Sequence, residues 1–61
     1  MNLNKLRGLR AENNMTQAEL AKKLKLSERS YSLKENGKRA FKDSEISRLC
    51  EIFKVDASIF F

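Results

Sequence analysis

Apolar residues recur along this chain at helical spacing. Leu3, Leu6 and Leu9 mark one side of a first segment. Leu20, Ala21 and Leu24 make an i, i+1, i+4 stripe, and Ile46, Leu49, Cys50 and Phe53 repeat at i, i+3, i+4, i+7. Polar residues between these stripes supply the boundaries. Asn2 is a candidate cap for a first helix ending at Asn13-Asn14. Thr16 and Glu19 have capping-box spacing and open a second helix over residues 17–24, with Met15 placed to staple onto Leu20. Ser27 caps a third helix over residues 28–35, which Asn36-Gly37 closes because glycine accepts the left-handed conformation of a helix end. A fourth helix starts after Asp43, and Asp56 caps a short fifth that contains Ile59. The expectation is all-α: a compact bundle of five short helices.

The faces of these helices assign inner and outer residues. At 100° per residue Tyr31 and Glu35 share one side of the third helix, while Arg29 and Leu33 fall roughly opposite. Tyr31 is therefore the anchor, and Arg29 with Leu33 points outward. Leu26, alone in the turn at 25–27, tucks inward, and Phe41 pins the loop that follows the third helix. Arg10 lies one turn beyond Leu6 on an otherwise apolar side. Such a guanidinium either snorkels to water or is paired inside. The run Ile59-Phe60-Phe61 holds more apolar bulk than one short helix can bury on one side. It either completes the core or offers a partner surface.

Composition narrows the possibilities. Sixty-one residues make one domain, 1–61, near the size at which a hydrophobic core becomes marginal. There is no proline, and glycine occurs only at Gly8 and Gly37, which favours helices throughout. Cys50 has no partner for a disulfide and lies on an apolar helix face, and no segment reads as a signal peptide or membrane span. A cytoplasmic protein is expected. With no histidine and no carboxylate pair in a credible cleft, neither an enzyme, a metal site nor a cofactor is expected. The net charge of +5 is concentrated. Residues 22–42 carry eight basic side chains against the acids Glu28 and Glu35, whereas the balance reverses from Asp43 onward. Surplus lysine can simply be a solvated surface, but here it coincides with the two-helix unit and its exit loop, the footprint of a polyanion-binding face.

Two capped helices and a turn within 16–38 leave room for little except a helix-turn-helix. The residues resemble that motif in the lambdoid phage repressor and Cro proteins, the XRE family. The opening Thr16-Gln17-x-Glu19-Leu20-Ala21, then Leu24 and Leu26-Ser27 about the turn, and the closing Glu35-Asn36-Gly37-Lys38 all fall in register. The likeness continues through the fourth helix into Val55-Asp56 and Ile59. It implies a lambda-repressor-like DNA-binding domain whose third helix enters the major groove. The matching base-facing positions are Ser27, Glu28, Arg29, Ser32 and Leu33. Arg29 is suited to a bidentate contact with guanine, Glu28 to cytosine N4 or to the positive end of its own helix, and Leu33 to a thymine methyl or to plain exposure. Gln17, Asn36, Lys38, Arg39 and Lys42 match phosphate-holding positions. The family also pairs an arginine like Arg10 with a glutamate like Glu35, which would answer the question of the guanidinium on an apolar face.

Two departures stand out. Lys25 occupies a turn position where the family usually has glycine, so positive φ there carries strain. Lys34 stands where the family prefers an apolar residue; its stem is expected to cover the core edge while the ammonium reaches out.

The reading that results is a sequence-specific double-stranded DNA-binding transcriptional regulator, a Cro-like or small phage or prophage repressor acting in a bacterial cell or infected host. Its partner is a DNA operator, with no membrane or small-molecule ligand evident. A weak homodimer, formed through Ile59, Phe60 and Phe61 and mainly on DNA, would let two copies read two half-sites. The competing reading is a protein-interaction module on the same scaffold, of antitoxin or antirepressor type.

Overall fold

The computed structural model describes all 61 residues. Four α-helices follow in order: α1 Leu3–Glu12, α2 Gln17–Lys23, α3 Glu28–Glu35 and α4 Asp43–Phe53. A 3-10 helix, Ala57–Phe60, takes the place of the expected fifth α-helix. The reason is length: Ile59 N–H donates to the Asp56 carbonyl and Phe61 N–H to that of Ser58, an i to i−3 pattern that turns tightly enough to deliver Phe60 into the core within four residues.

Each helix start is held by a local side chain. The Asn2 amide oxygen accepts from Lys5 N–H at 3.0 Å. Thr16 and Glu19 form a full capping box, with Glu19 N–H to the Thr16 hydroxyl at 3.1 Å and Thr16 N–H to the Glu19 carboxylate at 2.9 Å. The Ser27 hydroxyl accepts from Ser30 N–H, and the Asp56 carboxylate from Ser58 N–H. These bonds satisfy donors that have no partner inside the helix. At α4 the cap is Lys42, with Asp43 already in the first turn. A lysine side chain has no acceptor, so only half a box forms: Glu45 reaches back to Lys42 N–H at 2.8 Å.

The core is built from Leu6, Leu20, Ala21, Leu24, Tyr31, Leu49 and Phe60. Leu3, Leu9, Met15, Leu26 and Phe41 are partly buried against it. The Phe41 ring meets Tyr31 edge to face at a centroid distance of 6.1 Å, which ties the loop after α3 to the anchor of that helix. Helix α2 packs on α3, while α1 closes on the 3-10 helix, where Asn2 N–H donates to the Phe60 carbonyl. Phe60 is fully buried, which removes it from the partner surface expected of residues 59–61. Ile59 is partly buried, and Phe61 is 78 % exposed.

Three non-glycine residues take positive φ: Asn14 (54°), Lys25 (59°) and Lys54 (56°). Lys25 sits in the α2–α3 turn. There Leu26 N–H returns to the Ala21 carbonyl at 2.9 Å, and the left-handed residue lets the chain reverse toward Ser27. Gly37, φ 80°, closes α3, and a Cβ there would stand 3.4 Å from a Leu3 methyl.

Candidate nucleic-acid interface

Helix α3 is fastened on its inner side and bare on its outer side. Tyr31, Lys34 and Glu35 are buried, whereas Glu28 and Arg29 are exposed and Ser32 and Leu33 partly so. The helical period brings Glu28, Arg29, Ser32 and Leu33 onto the outer face, and Gln17, the first residue of α2, joins them around one shallow concavity. Ser27 borders this face; its hydroxyl oxygen is engaged in capping Ser30 N–H at 3.1 Å. Side chains from two helices thus share one open surface with apolar, cationic, anionic and amide groups in reach.

Beyond α3 the chain turns through Asn36 and Gly37 into a loop on which Asn36, Lys38, Arg39 and Lys42 are all exposed. Lys38 N–H and Arg39 N–H both donate to the Leu33 carbonyl, at 2.8 and 3.3 Å, so the loop is tied to the end of α3. The Asn36 amide donates to the Ser32 hydroxyl at 3.3 Å. The chain has two ion pairs, Arg10–Glu35 and Lys34–Glu45, so the cations of Arg29, Lys38, Arg39 and Lys42 are uncompensated by close carboxylates. Free cations beside a polar concavity make a surface suited to an anion with structure of its own.

Beneath this surface, Glu35 is the hub of a polar network. Its carboxylate is 1 % exposed and accepts from Arg10 Nε and Nη2, both at 3.0 Å, and from Gln17 Nε2 at 3.3 Å. Arg10 Nη1 continues to the Met15 carbonyl at 2.9 Å, and Arg7 donates to the Glu35 carbonyl at 2.7 Å and to Asn4. The end of α3 is therefore clamped to α1 and to the start of α2. Burial pushes the Glu35 carboxyl up, but the bonds from Arg10, then the adjacent Tyr31 hydroxyl dipole and the Gln17 amide, outweigh it and hold it below the usual carboxylate range. The same pairing raises Arg10. The Tyr31 hydroxyl is buried beside these charges without completing a hydrogen bond of ordinary geometry. Burial first, and the Glu35 carboxylate second, push that phenol far above its usual range.

Lys34 departs from expectation. Its ammonium does not reach solvent but meets Glu45 of α4, with Nζ 2.6 and 2.7 Å from the two carboxylate oxygens and side-chain exposures of 8 and 10 %. Desolvation raises the Glu45 carboxyl, and the bonds from Lys34 and from Lys42 N–H more than reverse this, leaving it below the usual range. A sequence signal existed. Glu45 lies four residues before buried Leu49, so two opposite charges each stood on an apolar face, as Arg10 and Glu35 did.

No group of three or more His, Cys, Asp or Glu side chains comes together that can hold a metal ion, and no helix is long and apolar enough to cross a membrane. Among known families, the one described as helix-turn-helix matches residues 6–60. No curated protein and no solved structure matches the chain.

Proposed function

Because the chain belongs to the XRE-type helix-turn-helix family, whose members are DNA-binding regulators, we propose that it is a sequence-specific transcriptional repressor of small, Cro-like type. In this reading α3 lies in the major groove of a double-stranded operator, whose base edges present a distinct donor–acceptor pattern for each base pair. Arg29 forks onto guanine O6 and N7, Glu28 accepts from cytosine N4, and Leu33 covers a thymine methyl. Ser27 and Ser32 supply shorter polar contacts. Gln17, Asn36, Lys38, Arg39 and Lys42 hold the flanking phosphates, which orient the protein and supply much of the affinity through counterion release.

The observation that carries this reading is the shared concavity of Gln17, Glu28, Arg29, Ser32 and Leu33, bordered by a loop of unpaired cations. One such helix reads only a few base pairs, so a weak homodimer formed on DNA belongs to the proposal. Phe61 and Ile59 are its candidate contact, Phe60 being committed to the core. The test is a gel-shift series with genomic fragments over a range of salt. Preferential binding to some fragments, weakening steeply as salt rises, is expected; equal binding to every fragment, or none at low salt, refutes sequence-specific regulation.

A further inference from the structure

We propose that the buried Lys34–Glu45 pair is a positioning device that joins the base-reading helix to the phosphate-holding loop, so that both meet DNA as one rigid surface. The inference rests on the DNA-binding reading above.

Its geometry has three parts. Lys34 belongs to α3, one residue past Leu33 and five past Arg29. Glu45 belongs to the first turn of α4. The loop carrying Lys38, Arg39 and Lys42 runs between them, and Glu45 holds its far end as well: one carboxylate accepts from Lys34 Nζ at 2.6 and 2.7 Å and from Lys42 N–H at 2.8 Å. The near end is fixed by the Lys38 and Arg39 amides on the Leu33 carbonyl. A loop tied at both ends to the elements it connects has its backbone, and so the points from which its cations extend, held in place relative to the face of α3. A buried pair is often no more stabilising than apolar side chains of similar volume, so stability alone is a weak reason for two charges here. Directional bonds to a helix and a loop at once do what an apolar contact cannot, which is to define an angle.

Positioning can be separated from stability. The double substitution Lys34→Met with Glu45→Met removes one charge of each sign, leaves the net charge at +5 and keeps the volume filled. A second variant, Lys34→Gln with Glu45→Gln, keeps hydrogen bonding and an acceptor for Lys42 N–H. Each is compared with wild type by thermal melting. Each is then titrated, over a range of salt, with a duplex that wild type selects from a random pool and with a scrambled duplex. For the Met pair we expect near wild-type melting, a salt slope shallower by about one phosphate contact, and a roughly tenfold greater loss on the selected duplex than on the scrambled one, about 1.4 kcal/mol of discrimination. The Gln pair recovers part of that loss.

A folded Met pair with wild-type salt slope and wild-type preference overturns the inference and leaves the DNA-binding reading intact. If the Met pair does not fold, Lys34→Leu with Glu45→Gln, which keeps an acceptor for Lys42 N–H but has no side-chain bond between the two positions, takes its place. Wild-type preference with wild-type salt slope in that variant overturns the inference equally. Should wild type itself select no duplex, the functional reading falls, and this role with it.

Discussion

Arg10 and Glu35 meet side-on, with Nε and Nη2 of the guanidinium each 3.0 Å from a carboxylate oxygen, although 25 residues separate them in the chain. Their contact joins α1 to the last residue of α3 and leaves Glu35 almost without solvent. In a chain of this size total stability is of order 3–9 kcal/mol, and orphaning a buried charge costs about 3–5 kcal/mol. Arg10→Ala is therefore expected to remove about 3–5 kcal/mol, a third or more of the total. Arg10→Met combined with Glu35→Leu should regain most of the loss. Urea titrations followed by circular dichroism measure both, and an Arg10→Ala protein as stable as wild type would show the pair to be decorative.

Acid should dissolve both buried pairs. Glu35 and Glu45 are held below the carboxylate range in the folded state, their burial outweighed by bonds from Arg10 and Lys34 respectively. The sign follows directly: a lowered folded value means that the unfolded chain binds more protons. The contribution is thus complete above the unfolded value of about 4.3 and is lost as pH falls below it. Melting temperatures should be nearly level at neutral pH and drop steeply as pH falls below about 4.3, the unfolded carboxylate value. A flat profile below that value would contradict the pairing.

Backbone strain gives a prediction of opposite sign. Lys25 and Lys54 hold φ of 59° and 56°, a region that disfavours residues with a Cβ by about 1–2 kcal/mol. Glycine removes that cost but widens the unfolded ensemble by about 0.5–1 kcal/mol. Lys25→Gly and Lys54→Gly are accordingly expected to stabilise by up to about 1 kcal/mol each. Asn14→Gly should do less, since asparagine tolerates the left-handed region. Thermal melts of the three single variants decide this, and a clear loss for Lys25→Gly would mean that its side chain makes a compensating contact.

The exposed face yields a pair of binding predictions with no stability component. Arg29→Ala should leave the melting temperature unchanged and relax discrimination at one base pair by about 1–3 kcal/mol. Lys38→Ala should weaken binding to selected and scrambled duplexes alike and flatten the salt slope by about 0.9. Competition titrations with single-base operator variants separate the two; identical behaviour of the two substitutions would argue against distinct base and phosphate roles.

Helix faces, the turn and the helix starts other than that of α4, where Lys42 is the cap and Asp43 already lies in the helix, were legible in the sequence because each depends on partners within three or four positions. Thr16 with Glu19, Ser27 with Ser30 and Asp56 with Ser58 need nothing from the rest of the chain. The 3.6-residue period likewise separates Tyr31 from Arg29 without knowledge of what Tyr31 packs on. The positive φ of Lys25 was implied only by the resemblance, which places glycine at that position of the turn; the structure has it at 59°. Other features waited on the fold. Lys34 announced itself as a misfit, but its partner depended on where the 36–42 loop sets α4 down beside α3, a matter of chain path rather than of spacing. Whether Phe60 or Phe61 enters the core depended on the tight i to i−3 turn that aims one inward and leaves the other bare. Hydrogen bonds across a few residues are written in the chain itself. Contacts between helices are decided only when packing selects one arrangement, and in this protein that selection is what turned two isolated charges into a buried pair.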